Sequence, residues 1–429
     1  MKAVLDKFFI LFKLALNKGF FHLLSANLLI QIAGFGGQIF LTRILSVEEI
    51  GKIKILQTYL GLALIIASVG INTAVLKLCS QKISEQEKKA IFSTGVKINI
   101  FTSFFLVILT VILAHFQLLS GSKEVNNLLK IYLLQIPALT LSGLSVNYLQ
   151  SQKKVQEISY IQSISKIIII LVSTGIAYTF GFISYIQSLI VTNILTLFLL
   201  FPLLKNELKE LLVTKINYKI TASLLKIGSF AFGANLLGNM LLNFNIILVS
   251  ILTSNSREVG YYGIANLIIT TLMMIPSTLN QIMIPYISEV SGDYEKVKNI
   301  LKKFRVRSIF LISIVSVVSA SLVPILLPIV FGEEYSNSVV YFQILLVGMF
   351  FWSLYSPKGI TLMSVGRTDL NFYTSLLSFV INLILNYVLI KKYGMIGAAT
   401  ANTLTYFCTI FINGYFFKVH FKKIDSESI

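Results

Sequence analysis

Apolar and polar positions alternate along this chain in blocks, not in a short period. Twelve apolar stretches run over 20–44, 54–78, 93–118, 128–149, 158–180, 182–204, 223–251, 259–288, 305–331, 335–363, 371–390 and 394–417. Each is close to the about 20 residues that an α-helix needs to cross a hydrocarbon core of about 30 Å. Polar breaks separate them, among them Ser80 to Lys89, Gln150 to Glu157, Lys205 to Lys219 and Glu289 to Lys303. Other junctions are minimal: Gly181 alone marks one, and Lys391-Lys392-Tyr393 another. Boundaries read from pattern shift by a few residues, so ten or eleven spans remain open. Runs such as Ile167 to Val172 lack the two-residue alternation of a lipid-facing barrel strand. The pattern therefore predicts an all-α polytopic membrane protein with about 12 transmembrane helices.

Composition agrees. The 429 residues are 55% hydrophobic and 13% charged, against about 25% charged in an ordinary soluble domain. Too few ionisable groups exist to cover the surfaces of three soluble domains. The net charge of +18 would first suggest nucleic acid, but its distribution answers a different question. With the N-terminus placed inside, 28 of the 36 Lys and Arg fall at inner boundaries. The remaining eight are Arg43, Lys52, Lys54, Lys123, Lys130, Arg257, Lys391 and Lys392. A positive-inside bias of that size puts both termini in the cytoplasm and makes the span number even. It also removes the case for a nucleic-acid partner.

Lys2, Lys7, Lys13 and Lys18 are spread among Phe and Leu before the first span. No small-residue cleavage site follows a short apolar core, so this segment reads as an amphipathic lead-in lying on the membrane surface.

Catalytic chemistry finds little support. Cys79 and Cys408 cannot form a disulfide framework, and His22, His115 and His420 are scattered, so neither a metal nor a cofactor is expected. No loop could house a catalytic domain, and no GxxxxGK[ST] phosphate loop occurs. An enzyme is not expected, and no catalytic residue is assigned.

The chain also repeats itself. Lys18 with Ala26-Asn27-Leu28-Leu29 recurs as Lys226 with Ala234-Asn235-Leu236-Leu237. Glu49-Ile50-Gly51 matches Glu258-Val259-Gly260, and Tyr160 and Gly181 match Tyr373 and Gly394. The order is kept and the offset drifts by only a few residues. Two halves follow, 1–215 and 216–429, each a six-helix bundle. An even span number per half makes the repeat parallel, with its axis along the membrane normal. Two facing bundles suit alternating access to a cavity between them.

Polar residues inside spans are the candidate site. Asn27, Gln31 and Gln38 lie near one face of the first span, and Asn235, Asn239 and Asn243 near one face of the seventh. The repeat equates Asn27 with Asn235 and Gln31 with Asn239. Such amides are either interhelical hydrogen-bond glue or a polar wall suited to sugar hydroxyls; both readings stand. Lys358 lies roughly 12 Å from the break at Gly366 at helical rise, and Pro357 and Gly359 suggest a helix broken there. Lys166 is similarly deep. Each lysine either snorkels to headgroups or offers a cation to a phosphate or pyrophosphate. Arg43 is expected to pair with Glu48 and Glu49. No Asp or Glu lies deep in a span, which favours an anionic substrate over a cationic drug.

GRTDLNFYTSLLSFVINLILNYVLIKKYGMIGAATANTL from Gly366 closely resembles the last two spans of polysaccharide and O-antigen repeat-unit flippases in the multidrug/oligosaccharidyl-lipid/polysaccharide exporter superfamily. LTRILSVEEIGKI from Leu41, EVGYYGIANLI from Glu258 and LPIVFGEEYSNSVVYFQIL from Leu327 resemble its other recurring segments. The resemblance implies a bacterial inner-membrane flippase for an undecaprenyl-pyrophosphate-linked oligosaccharide, an O-antigen or capsule repeat unit. It implies alternating access powered by an ion gradient, H⁺ or Na⁺, and leaves open other polysaccharide-assembly membrane proteins as partners. A cation-coupled multidrug exporter of the same superfamily is the alternative. The substrate-binding candidates Lys358, Lys166, Asn27, Gln31, Asn235 and Asn239 come from the residues and not from a family motif.

Overall fold

The computed structural model describes residues 33–205, 207, 217–253 and 255–427. The lead-in, Asn27, Gln31 and most of the first apolar stretch lie outside the described residues. Every regular element among those described is helical. We label the longer helices α1 (33–44), α2 (Val47–Ser68), α3 (Ile71–Cys79), α4 (Glu85–His115), α5 (Lys123–Tyr132), α6 (Ile136–Ser151) and α7 (Val155–Leu200). They continue as α8 (Tyr218–Leu252), α9 (Ser256–Leu272), α10 (Met274–Glu289), α11 (Tyr294–Phe331), α12 (Ser338–Ser364) and α13 (Thr368–Glu427).

Nine candidate spans are long and apolar enough to cross a membrane among the described residues. Their outer surfaces explain why water cannot be their solvent. Phe101 on α4 is 74% exposed, and Phe310 on α11 is 69% exposed. Such side chains in long helical rows are stable only against hydrocarbon, where a helix satisfies its own backbone.

Two of the nine, Val155–Leu204 and Thr368–Phe421, are twice the needed length. Each is interrupted by a glycine: Gly181 at φ 78° and Gly394 at φ 57°. Positive φ costs other L-residues steric strain that glycine avoids, so a single residue turns the chain. The expected junction at Gly181 is therefore observed. The one expected at Lys391-Lys392-Tyr393 falls at the next residue, Gly394. Gly70, at φ 72°, divides the expected 54–78 stretch into α2 and α3. Pro285, Pro324, Pro328 and Pro357 sit inside helices that continue through them, because the fixed φ of proline is itself helical.

By contacts the chain forms two compact units. The first comprises the described residues of Met1–Leu45 with Tyr59–Phe116 and Asn126–Leu236. Its core gathers Ile71, Val75, Phe92, Leu144 and Tyr148, all buried, with the Phe92 and Tyr148 rings 4.4 Å apart. Asn99 donates to Asn72 across it at 2.8 Å.

The second unit comprises Ser46–Thr58, Gln117–Val125 and Leu237–Ile429. Here α12 packs against α9, α10, α11 and α13. The start of α2 is held by the buried Lys52, whose ammonium meets Glu48 at 2.9 Å and Glu124 at 2.6 Å. Glycines bring α2 against α9: a Cβ on Gly51 would overlap the Ser256 carbonyl, and one on Gly260 the Val47 carbonyl. This is the close backbone approach by which helices associate in lipid. A buried amide ladder joins α8, α9 and α13: Asn245 and Asn402 both donate to the Tyr262 hydroxyl, and Asn382 donates to Asn402.

Candidate functional site

Local sequence places a cluster of cations at one end of the second unit. Asp293 caps α11 by accepting from the Lys296 backbone at 3.1 Å. The Lys296 ammonium also bonds the Asp293 carboxylate at 2.7 Å. That bond holds the Asp293 carboxyl below its ordinary range and neutralises Lys296. In the next turns Lys298, Lys302 and Arg305 follow at helical spacing, so one face of α11 carries three cations. Beneath them Met283, Ile287, Val297, Leu301 and Phe421 form a buried apolar cluster.

Lys358 on α12 reaches the same place. It shares a cavity of about 290 Å³ with Lys298, Lys302, Arg305 and Phe417. Its ammonium lies 5.9 Å from the centre of the Phe417 ring and passes beside Gly414. The helix is not broken at Pro357–Gly359 as expected: α12 is continuous to Ser364, and Thr361 Oγ1 bonds back to the Pro357 carbonyl at 2.8 Å.

Charge pairing separates these cations from their neighbours. Arg367 is bound by both oxygens of Asp369, at 2.9 and 2.8 Å, which pushes its guanidinium further toward the charged form. Lys298 meets Glu295 at 3.3 Å. Among the described residues Lys302, Arg305 and Lys358 have no carboxylate partner, and Arg305 Nε is buried with no hydrogen bond. Like charges gathered this closely repel unless an anion joins them. Chemically the pocket offers a fork donor from Arg and point charges from Lys, groups whose geometry and charge suit an anion such as phosphate.

Sequence reading singled out Lys358 but counted Lys298, Lys302 and Arg305 only toward topology. A signal was available: cations at i, i+4 and i+7 on α11 without an equal number of acids.

Lys166 lies in the first unit, exposed on the wall of a separate cavity of about 330 Å³. Ser142, Asn147, Gln162, Ser165 and Asn193 also line it. Ser142 and Ser165 hold buried hydroxyls without partners, while Asn193 donates to Gln135 at 2.7 Å. The two candidate lysines thus belong to different units. On α8, Asn235 is exposed and Asn239 half-buried. Asn245, unremarked in the sequence, is the buried amide of that helix.

Comparison with known proteins fits a transporter scaffold. The chain is 24% identical over 387 residues to a putative O-antigen transporter of Shigella flexneri, covering 86% of this chain and 89% of that protein. It is 24% identical over 384 residues to a probable low-salt glycan biosynthesis flippase of Haloferax volcanii, covering 87% and 77%. Among solved structures it resembles the lipid II flippase MurJ in an inward closed conformation. The TM-score is 0.76 at 17% identity, over 92% of this chain and 86% of that one. An inward-facing multidrug resistance MATE family transporter gives 0.72 at 10% identity, over 93% and 96%. These relatives are transporters and flippases, not enzymes. The sequence model of polysaccharide biosynthesis proteins matches residues 40–340. By that match the chain belongs to the polysaccharide biosynthesis protein family, within the superfamily of flippases and exporters that its sequence resembles.

Proposed function

We propose that the chain is a flippase for a lipid-linked glycan, an undecaprenyl-pyrophosphate-linked O-antigen or capsule repeat unit, moved across the bacterial inner membrane by alternating access. The halves 1–215 and 216–429 are the proposed six-helix bundles whose alternation would expose the substrate to one side and then the other. The observation that carries this reading is the cation cluster of Lys302, Arg305 and Lys358, which has the chemistry of a pyrophosphate receptor and sits in an apolar scaffold. Lys166 remains the second proposed cation for the pyrophosphate, and Asn235 and Asn239, together with Asn27 and Gln31, the proposed contacts for sugar hydroxyls. The polyprenyl tail stays in lipid. Relatives associated with O-antigen and glycan export support the same substrate class.

A cation-coupled drug exporter would need a carboxylate where this pocket presents cations. No Asp or Glu lines the Lys358 cavity among the described residues.

Deleting the gene in a host with one such flippase is expected to remove surface polysaccharide and accumulate lipid-linked units inside. The wild-type chain should restore export, and a Lys358→Ala, Lys166→Ala double variant should not, at equal expression. Normal surface polysaccharide in the deletion strain would end the reading. Full export by the double variant would remove both lysines from the site.

A further inference from the structure

A second cavity of the same unit adjoins the cation pocket and differs from it in chemistry. It measures about 370 Å³, within the size range of small-molecule sites. Asn280 and Gln281 of α10, Trp352 and Tyr355 of α12, and Asn371 and Asn413 of α13 line it. None of its described lining residues is charged. Amides and hydroxyls both donate and accept, which is what vicinal hydroxyls require, and a half-buried indole offers a flat apolar face to the C–H side of a sugar ring.

The polar groups are already partly organised. Asn280 donates to Ser356 Oγ at 2.9 Å, and Asn371 donates to the Gly359 carbonyl at 2.7 Å. Asn413 is different: it is 1% exposed and its Oδ1 has no hydrogen-bond partner. A buried acceptor left unpaired is costly, so this lining lacks a donor.

Position adds to chemistry. Gly359 borders this cavity, and a Cβ there would lie 3.3 Å from Asn371 Oδ1 and 3.6 Å from Asn413 Nδ2. Its neighbour Lys358 lies 3.6 Å from where a Gly414 Cβ would be. The pairs Lys358-Gly359 and Asn413-Gly414 therefore face each other, one residue of each turned to the cation pocket and one to the amide pocket.

We propose that the pocket of Asn280, Gln281, Trp352, Asn371 and Asn413 is a saccharide subsite, holding an uncharged sugar ring beside the phosphate pocket of Lys358. The assignment of a glycan as ligand rests on the flippase reading above. The donor missing at Asn413 Oδ1 is supplied by a sugar hydroxyl, and Trp352 covers the ring.

Trp352 is the only tryptophan of the chain, so its emission reports this pocket alone. The full-length protein is purified in a detergent without a sugar headgroup and titrated with glucose, galactose, N-acetylglucosamine and N-acetylgalactosamine. At least one is expected to shift Trp352 emission saturably. Asn413→Leu should weaken that response about tenfold, the loss of one buried hydrogen bond. Gln281→Leu, at an exposed position of the pocket wall where substitution costs little packing, should weaken it as well, covering the case in which the Asn413 variant fails to fold. A protein that exports glycan but gives no response to any of the four sugars would overturn the subsite. So would equal half-saturation in wild type and both variants. A protein that responds to sugar but exports nothing would overturn the flippase reading and leave the subsite standing.

Discussion

Lys358 shows how one cation changes meaning with its neighbours. Alone on α12 it would lead its ammonium to a lipid headgroup; with Lys302 and Arg305 around one cavity it joins a cation cluster that suits the proposed shared anion. A charge-assisted contact of this kind contributes about 1.5–3 kcal/mol. Lys358→Ala and Arg305→Gln should each weaken binding of inorganic pyrophosphate to the purified protein by roughly 10- to 100-fold. Lys358→Arg should restore most of it, and wild-type binding should fall with added salt. Calorimetric titration checks this; unchanged affinity in both charge-removing variants would take the pocket out of the substrate path. The lysine was legible in the sequence because a charge inside an apolar run stands out. The pocket around it was not, since Lys298, Lys302 and Arg305 come from a helix end where basic residues already have a topological explanation. The amide pocket was still less legible: Asn280, Asn371 and Asn413 are separated by up to 133 positions in the chain numbering, and only packing brings them together.

The interruptions that divide the long apolar runs decide what each element can be, and at positions 70, 181 and 394 they fall at glycine. Gly394 illustrates the physics twice, through its positive φ and through Glu258 Oε2, which a Cβ would approach to 3.0 Å. The same carboxylate accepts from the Met395 backbone at 3.1 Å, stabilising the new helix at its positive end. Gly181 has the positive φ but open space around it. Gly181→Ala, at φ 78° and ψ −170°, should therefore cost about 1–3 kcal/mol of backbone strain. Gly394→Ala should cost more and lower the melting temperature further, as followed by thermal unfolding in detergent. Equal shifts would mean that the Glu258 contact contributes nothing. At the start of α4, Ser84 and Glu87 form a reciprocal capping box, with Ser84 Oγ accepting from the Glu87 backbone at 3.2 Å and Glu87 accepting from the Ser84 backbone at 3.0 Å. Ser84→Ala should cost about 1 kcal/mol, read in the same assay. Span positions were legible because the apolar blocks are long. Pro357 misled, because the break signal that proline gives in soluble helices is weaker where its fixed φ suits the helix and lipid leaves no other backbone partner. The paired glycines were flagged by the repeat, yet only coordinates give their dihedral angles.

At the scale of the whole molecule the basic residues make a prediction about sidedness. If 28 of 36 cations mark the inner face, the Ser80–Lys89 connection faces the cytoplasm and the turn at Lys391-Lys392 faces outward. Lys82 and Lys391 are both exposed, so each can carry a reporter. The two native thiols, Cys79 and Cys408, are first replaced by alanine, and single Lys82→Cys and Lys391→Cys variants are built on that background. In intact spheroplasts a membrane-impermeant maleimide should label the variant at 391 within minutes. The variant at 82 should be labelled only after permeabilisation. The cation pocket begins at residue 298, in the group of basic residues assigned to the inner face, so this topology would open it first to a substrate made in the cytoplasm. Reversed labelling would place that pocket on the release side and make it an exit contact instead of the receptor that loads the flippase. Labelling of both positions only after permeabilisation would break the alternation itself, because an odd number of spans separates 82 from 391 in a twelve-span chain.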